Sequence, residues 1–136
     1  MATRSVIARL DNNGIKAIYC HNDGYLSNNG KILDQHYQNE VKVDNLIAQG
    51  DCSSLKDTIA DTIFYMRDRG EYLKNRKPII LEDDIALVEF ANNACDAQYI
   101  YMYVFGAWYV YDNSNEIGNC SYQFIELEDA LYVDII

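Results

Sequence analysis

The sequence has one proline, seven glycines and no long run of apolar residues. A membrane-spanning helix needs roughly 20 consecutive apolar residues, and no segment approaches that length. The first residues also lack the apolar stretch of an export signal, so we expect a cytoplasmic protein. Nearly half of the 136 residues are hydrophobic (49%), which is enough to bury a core and argues against disorder.

Cysteine is sparse, and its spacing does not match a metal site. The four cysteines, at positions 20, 52, 95 and 120, include no Cys-x-x-Cys pair. Such spacing favours neither a zinc site nor a disulfide framework. For a chain without an export signal we expect reduced, mostly buried thiols. We predict no metal ion and no cofactor.

Positive charge is missing from the second half of the chain. All 11 Lys and Arg residues lie between Arg4 and Lys77, among 10 acidic residues, whereas residues 78–136 carry 11 acidic residues and no Lys, Arg or His. The simplest interpretation is a solvated surface that keeps the protein soluble. The same charge argues against direct binding of nucleic acid by this half. We also expect no membrane partner, because the chain has no long apolar run.

A second interpretation of the acidic half is a protein-binding face. Channels that handle nucleic acid are lined with Lys and Arg, so carboxylates can occupy the positions of phosphates, and tyrosines can anchor such a contact. The predicted partner-binding residues are Glu82, Asp83, Asp84, Glu89, Asp96, Asp112, Glu116, Glu126, Glu128 and Asp129.

Patterns of apolar residues predict a single α+β domain in which antiparallel hairpins are flanked by short helices. One hairpin is predicted over residues 5–20 with its turn at Asp11–Gly14, and a second over residues 99–111 with its turn at Gly106–Ala107. Helical spacing predicts helices over 31–37 and 39–49, and a third from Asp83 or Asp84 to about residue 96.

The remaining segments give weaker predictions. Residues 28–30 and 51–55 are predicted as turns, residues 63–66 as a short strand, and residues 126–133 as a helix or an edge strand. The aromatic hairpin Tyr99–Tyr111 would offer a homodimer surface if one of its edges were exposed.

Residues 18–25, Ile-Tyr-Cys-His-Asn-Asp-Gly-Tyr, concentrate chemically versatile side chains where a predicted strand ends. His21 and Asp23, with His36, carry groups that suit zinc, manganese or acid–base catalysis. Cys20 and His21 are adjacent and would point to opposite faces of a strand, which disfavours cysteine catalysis. Alternatively, the segment only fixes a turn, with Asp23 accepting backbone donors and Gly24 at positive φ.

An anion pocket is a further interpretation of the first half. Lys31 at a helix start, with Arg67 and Arg69, suits phosphate, and nearby tyrosines could stack on a base. The alternative is that Arg67-Asp68-Arg69-x-Glu71 is a local ion-pair network. The predicted ligand-binding residues are Tyr19, His21, Asp23, Tyr25, Lys31, His36, Arg67 and Arg69.

Several short motifs occur together in the first half: ATRS at 2–5, IYCHxDGY at 18–25, GKILxxHY at 30–37, GDxSSL at 50–55 and YxRDRGE at 65–71. The set resembles a family of small proteins found in bacteriophages and prophages, over roughly residues 2–71 and more weakly to Tyr111. Asn22 departs from the family pattern, which has Trp at this position; a ligand site lined by that aromatic would be altered here. The resemblance implies a phage context and no particular reaction.

Charge and phage context together predict a non-catalytic inhibitor of a bacterial defence system, with CRISPR–Cas as the first expected target. It would act in the cytoplasm of the infected host cell and bind a host defence protein, such as a Cas effector, at its basic nucleic-acid-handling surface. One alternative is a protein that sequesters a nucleotide signal through His21, Lys31, Arg67 and Arg69. Another is a small metal-dependent or acid–base enzyme using His21 and Asp23.

Overall fold

A mixed β-sheet forms the centre of the computed structural model. The structure describes residues 2–72, 75–113 and 123–134, and it describes residues 133 and 134 by their backbone alone. The strands are β1 (Ser5–Asp11), β2 (Gly14–Cys20), β3 (Cys52–Ser54), β4 (Ile63–Phe64), β5 (Ile79–Leu81), β6 (Tyr99–Val104), β7 (Ala107–Asp112) and β8 (Ile125–Glu126). The helices are α1 (Lys31–His36), α2 (Glu40–Ala48), α3 (Asp84–Phe90) and α4 (Leu127–Asp134). The α+β class is therefore confirmed.

Within the described residues the sheet runs β4-β3-β2-β1-β6-β7-β8, and β5 pairs with β2 on the same side as β3. The two predicted hairpins, β1–β2 and β6–β7, are antiparallel. However, β1 pairs with β6 and β2 pairs with β3 in parallel, so the sheet is mixed rather than built from antiparallel hairpins alone. These parallel pairs join segments far apart in sequence, which hairpin signals do not reveal.

Successive side chains of a strand point to opposite faces of the sheet, and a hydrophobic core forms on each face. Ile7 of β1 belongs to a core beneath α1, α2 and α4, whereas its neighbours Val6 and Ala8 belong to a core beneath α3. The tyrosines at 99, 101 and 103 share one face of β6, since all three pack into the first core. Helices thus cover both faces of the sheet.

Local signals explain the helix ends. The Asn39 side chain accepts a hydrogen bond from the Lys42 amide at the start of α2, and Gly50 follows that helix with a φ of 84°. The Asp83 side chain caps α3 in the same way, by accepting from the Ala86 amide. A π-helical turn, Ala91–Cys95, continues α3 and extends it close to the predicted end.

Three predictions of local structure were wrong. Residues 28–30 belong to a π-helical segment, Leu26–Gly30, that leads directly into α1, and they do not form an open turn. Residues 51–55 contain β3, a strand of three residues that is too short to show a period. The second hairpin turns at Phe105–Gly106, so Ala107 already belongs to β7.

The aromatic hairpin lies inside the sheet. Strand β6 has β1 on its other side, and β7 has β8 on its other side. Strand β8 pairs with Tyr109 and Val110 of β7, and a homodimer formed through the hairpin stays a prediction. Among the helices of the described segments, none has the length and apolarity that crossing a membrane requires.

Candidate functional site

The loop 21–25 is fixed from several sides at the end of β2. The amides of His21 and Asn22 donate to the carbonyls of Cys52 and Ser53, at 3.1 and 2.9 Å. Strand β3 therefore holds the first two residues of the loop in place after β2 ends. Asp23 has a φ of 56°, in the left-handed region. The positive φ predicted for Gly24 was therefore assigned to the wrong residue.

The close packing around residue 24 requires glycine, because there is no room for a side chain. A Cβ atom built there would lie 2.7 Å from the Ser5 Cβ and 2.8 Å from the Thr3 carbonyl oxygen. Its carbonyl accepts a 2.6 Å hydrogen bond from the buried Tyr101 hydroxyl. Asp23 accepts donors through its backbone carbonyl, from the Asn29 amide at 3.2 Å. Much of this motif is therefore structural.

The two cysteines at this end of the sheet face the core. Cys20 and Cys52 are register partners on β2 and β3, and both side chains are buried free thiols. A hydrogen bond with the Cys20 thiol, together with burial, raises the pKa of Cys52 well above its usual value. A thiol in this state is a poor nucleophile. Cys95 is also buried and free, whereas Cys120 lies outside the described residues.

Tyr19 and His21 belong to a polar cluster on the α3 side of the sheet. The Tyr19 hydroxyl lies 2.6 Å from His21 Nδ1. Burial raises the pKa of Tyr19, an effect opposed by the nearby Arg4 guanidinium. Next to this pair, the guanidinium groups of Arg76 and Arg69 lie 4.1 and 5.2 Å from the centre of the Tyr65 ring.

Asp51 is the buried charge of this Tyr19 cluster, which we define as Tyr19, His21, Asp51, Tyr65, Arg69 and Arg76. Its Oδ1 accepts from the Tyr19 amide at 2.9 Å, and its Oδ2 lies 3.6 Å from Arg76 Nη1. Burial raises the pKa of Asp51 to about 6, although the Tyr19 amide and Arg76 oppose the shift. Perturbed acids of this kind are frequent at functional sites, but ion-pair networks in a scaffold also produce them.

The two arginines predicted to bind a ligand have different surroundings. Arg67 donates to the carbonyls of Ile59, Ala60 and Thr62 and forms a 2.9 Å ion pair with Asp68. Arg67 therefore ties the loop after β4 to the segment before that strand, and its assignment as a ligand-binding residue stays a prediction. Arg69 has no ion pair with a carboxylate in residues 2–72, 75–113 or 123–134.

Lys31 and His36 lie elsewhere, in a cleft on the opposite side of the sheet. This α1 cleft has a volume of about 380 Å³ and lies between α1 and the segment that follows β3. Its lining residues are Ser27, Asn28, Lys31, Ile32, Gln35, His36, Leu55, Lys56 and Asp57. The structure thus brings two of the predicted ligand residues together and adds Lys56, which no local pattern marks.

Positive charge in the α1 cleft is only partly balanced. Within the described segments, neither Lys31 nor Lys56 has a carboxylate within ion-pair distance of its ammonium group. The one carboxylate of the lining, Asp57, lies 3.6 Å from His36 Nε2. A third lysine, Lys42, donates to the Asp57 carbonyl at 3.2 Å. The cleft therefore suits an anion with several oxygen atoms.

The predicted acidic face is divided between the two sides of the sheet. Glu82, Asp83, Asp84 and Glu89 are exposed on or just before α3, and Asp96 follows its π-helical extension. In contrast, Glu126 and Glu128 line a cleft of about 330 Å³ together with Asp34 of α1, and Asp129 lies beside them on α4. Asp112 ends β7, and Glu116 lies outside the described residues.

Two other residues of the predicted ligand set remain at the loop. Asp23 is exposed, and Tyr25 is exposed immediately before the π-helical segment. In the described part of the chain, no three His, Cys, Asp or Glu side chains are arranged to hold a metal ion. His21, Asp23 and His36 therefore do not form the metal set that the sequence suggested.

Comparison of the chain with protein-family models, with curated proteins and with solved structures gives no match. The function must therefore be argued from the geometry of the clefts and from their charge.

Proposed function

We propose that this chain is a non-catalytic protein that binds a phosphate-bearing small molecule, such as a nucleotide, in the α1 cleft. The observation that carries the proposal is the pair Lys31 and Lys56, whose ammonium groups face no ionic partner among the described residues within a cleft of about 380 Å³. Pockets for small ligands commonly have volumes of roughly 300 to 1,000 Å³.

The other walls suit the same type of ligand. Ser27, Asn28 and Gln35 offer polar side chains, and Ile32 and Leu55 offer a small apolar surface for the rest of the ligand. Lysine is a common phosphate-binding residue because its ammonium group acts as a compact, mobile charge. Binding is favoured over catalysis because Asp23 contributes its backbone carbonyl to the loop, and His21 and His36 lie on opposite sides of the sheet.

A phage protein with such a site would serve to sequester a nucleotide signal of the host. Of the residues expected from sequence to sequester a nucleotide signal, the proposal keeps only Lys31, and it adds Lys56. The others, His21, Arg67 and Arg69, are absent from the lining, as are the stacking tyrosines. The cleft therefore offers fewer specific contacts to the base of a nucleotide than to its phosphate groups. We therefore define the ligand by its phosphate groups.

Thermal unfolding in the presence of pyrophosphate, ATP and cyclic di-AMP tests the proposal. A ligand present at roughly 100 times its Kd stabilises the folded state by about 2.7 kcal/mol, which corresponds to several degrees in Tm. The double variant Lys31→Gln/Lys56→Gln should lose this shift because both exposed cations are removed. Gln98→Glu/Gln123→Glu changes the net charge by the same amount at two exposed positions away from the cleft, and it should keep the shift.

Two results would count against the site. Equal stabilisation of both double variants would place binding elsewhere, and no stabilisation of the wild type by any phosphate compound would remove the proposal. Because both changes in the lysine variant are at exposed positions, its Tm without ligand should match that of the wild type.

A second candidate function is inhibition of a bacterial defence system such as CRISPR–Cas through the acidic residues around α3. The observation in its favour is that Glu82, Asp83, Asp84 and Glu89 are all exposed on one short segment. Complementary charge would speed encounter with a basic groove and would favour the correct partner. The acids of α4 lie on the opposite side of the sheet and would not join the same contact.

Charge reversal separates the two acidic groups. Glu82→Lys/Glu89→Lys should restore defence against a targeted phage, measured by plaque counts, whereas Glu128→Lys/Asp129→Lys should retain the inhibition. Asp83 is left unchanged because its side chain caps α3. Full inhibition by the first variant would rule out the α3 surface.

A further inference from the structure

A third and larger groove lies at the opposite end of β2 from the loop 21–25. This β5 groove has a volume of about 640 Å³ and is lined by Lys16, Ile47, Met66, Lys77, Pro78 and Ile80, among others. The pairing of the strands determines which side chains form the bottom of the groove. Arg9 of β1 pairs with Lys16 of β2, which pairs with Ile80 of β5. Three neighbouring strands thus place two cations and one apolar side chain in a row.

The groove is locally positive in a chain whose net charge is −10. Arg9 is neutralised by ion pairs with Glu40, at 3.3 Å, and with Asp44. In contrast, Lys16 and Lys77 are exposed, and neither has an ion pair with a carboxylate of the described residues. Within the described residues, two ammonium groups without an ionic partner therefore remain beside the apolar side chains of the groove.

Strand β5 carries unusual apolar exposure for an edge of the sheet. Ile80 is 67% exposed and Ile79 is 37% exposed. Along its residues β5 pairs with β2, and no strand in the described part of the chain pairs with its other edge. An unpaired edge with exposed apolar side chains is a template for a further strand.

We propose that the β5 groove binds an extended acidic segment of a partner protein, which adds to β5 as a further strand. Strand addition obtains affinity from backbone hydrogen bonds and selectivity from alternate side chains. Here the alternate side chains that face the groove would be an apolar residue against Ile80 and acidic residues near Lys16 and Lys77. A second copy of this chain that pairs through its own β5 fits less well, because it would bring the same cations, Lys16 and Lys77, to the contact. Asp44, the carboxylate of the groove lining, is already paired with Arg9 and would not oppose them.

The test uses a fluorescently labelled peptide, Thr-Glu-Thr-Val-Thr-Glu-Thr, titrated with the full chain at low salt and followed by anisotropy. Its Glu and Val residues alternate with Thr, so they share one face of an extended strand. N-methylation of the even residues blocks one backbone edge, and N-methylation of the odd residues blocks the other. Strand addition predicts that only one of these two peptides loses affinity, by at least ~10-fold.

The contribution of the two lysines to peptide binding is tested with variants of the protein. Lys16→Gln/Lys77→Gln should weaken binding of the peptide by ~10-fold, because both free cations are removed. The control Gln98→Glu/Gln123→Glu, with the same change in net charge, should bind like the wild type. Ile80→Ser, at an exposed position, should weaken binding without lowering the Tm.

Several outcomes would overturn the proposal. These are no saturable binding of the peptide, equal effects of the two methylation patterns, or equal effects of the two charge variants. Saturable binding of octanoate without binding of the peptide would assign the groove to a small amphiphile. Dimerisation that Ile80→Ser abolishes would assign it to a second copy.

Discussion

The buried Asp51 allows a quantitative prediction about stability. Burial raises the pKa of Asp51 from 3.8 to about 6 in the folded protein, so folding favours its protonated form. The stabilisation is complete below the unfolded pKa and is lost as the pH rises through the folded pKa. With about 1.36 kcal/mol for each pKa unit, the pH-dependent loss is at most about 3 kcal/mol.

Asn at this position mimics the protonated carboxyl group, so the variant Asp51→Asn should not show this loss. Its amide oxygen can still accept from the Tyr19 amide, as Asp51 Oδ1 does at 2.9 Å. We therefore expect the two proteins to have similar free energies of unfolding near about pH 4 and the variant to be more stable above about pH 6.

Urea unfolding of both proteins across this pH range gives the measurement. Taking the difference between them cancels the titration of the exposed carboxylates, which both proteins share. A variant that is less stable than the wild type by the same amount at every pH would refute the reasoning. It would mean that the ion pair with Arg76, at 3.6 Å, outweighs the cost of burying the charge.

Two further predictions concern the framework of the site. Gly24→Ala should lower the free energy of unfolding by about 1–3 kcal/mol, because the new Cβ would meet Ser5 at 2.7 Å; unchanged urea stability would contradict this close contact. Arg67→Ala should cost about 2–3 kcal/mol by leaving carbonyl acceptors such as that of Thr62 without their donor. The neighbouring variant Arg69→Ala should cost much less in the same assay, and equal losses would argue against the loop-fixing role of Arg67.

Much of the fold could be predicted because it depends on local patterns. The hairpin of β1 and β2 follows from apolar runs around Asn12-Asn13-Gly14, and the start of α3 follows from its Asp83 cap. Strands β3 and β5 have three residues each, too few for a period to be detected. Their places in the sheet depend on pairing with β2, which is a tertiary property.

The candidate site was less predictable because its parts come from separate segments. Lys31 and His36 share a cleft because both belong to α1, but Lys56 reaches it only through the chain after β3. Charge alone also could not distinguish Arg67, which bonds backbone carbonyls, from Arg69, which has no ion pair within the described segments. Sequence reveals the type of charge, whereas the fold determines which charges are already neutralised.

The resemblance to phage proteins and the expected action against a host defence system remain predictions. Both depend on context that the fold does not supply. The division of the acidic residues between α3 and α4 does change the form of that prediction, because one continuous acidic face is replaced by two separate groups.

The most direct test of the central claim is a ¹H–¹⁵N NMR titration of the full chain with a phosphate compound that stabilises it. We predict saturable shifts of the amide signals of Ser27, Lys31, His36 and Lys56, which surround the α1 cleft. Shifts confined to the Tyr19 cluster or the β5 groove, or no saturable shift at all, would contradict the assignment of the α1 cleft as the ligand site.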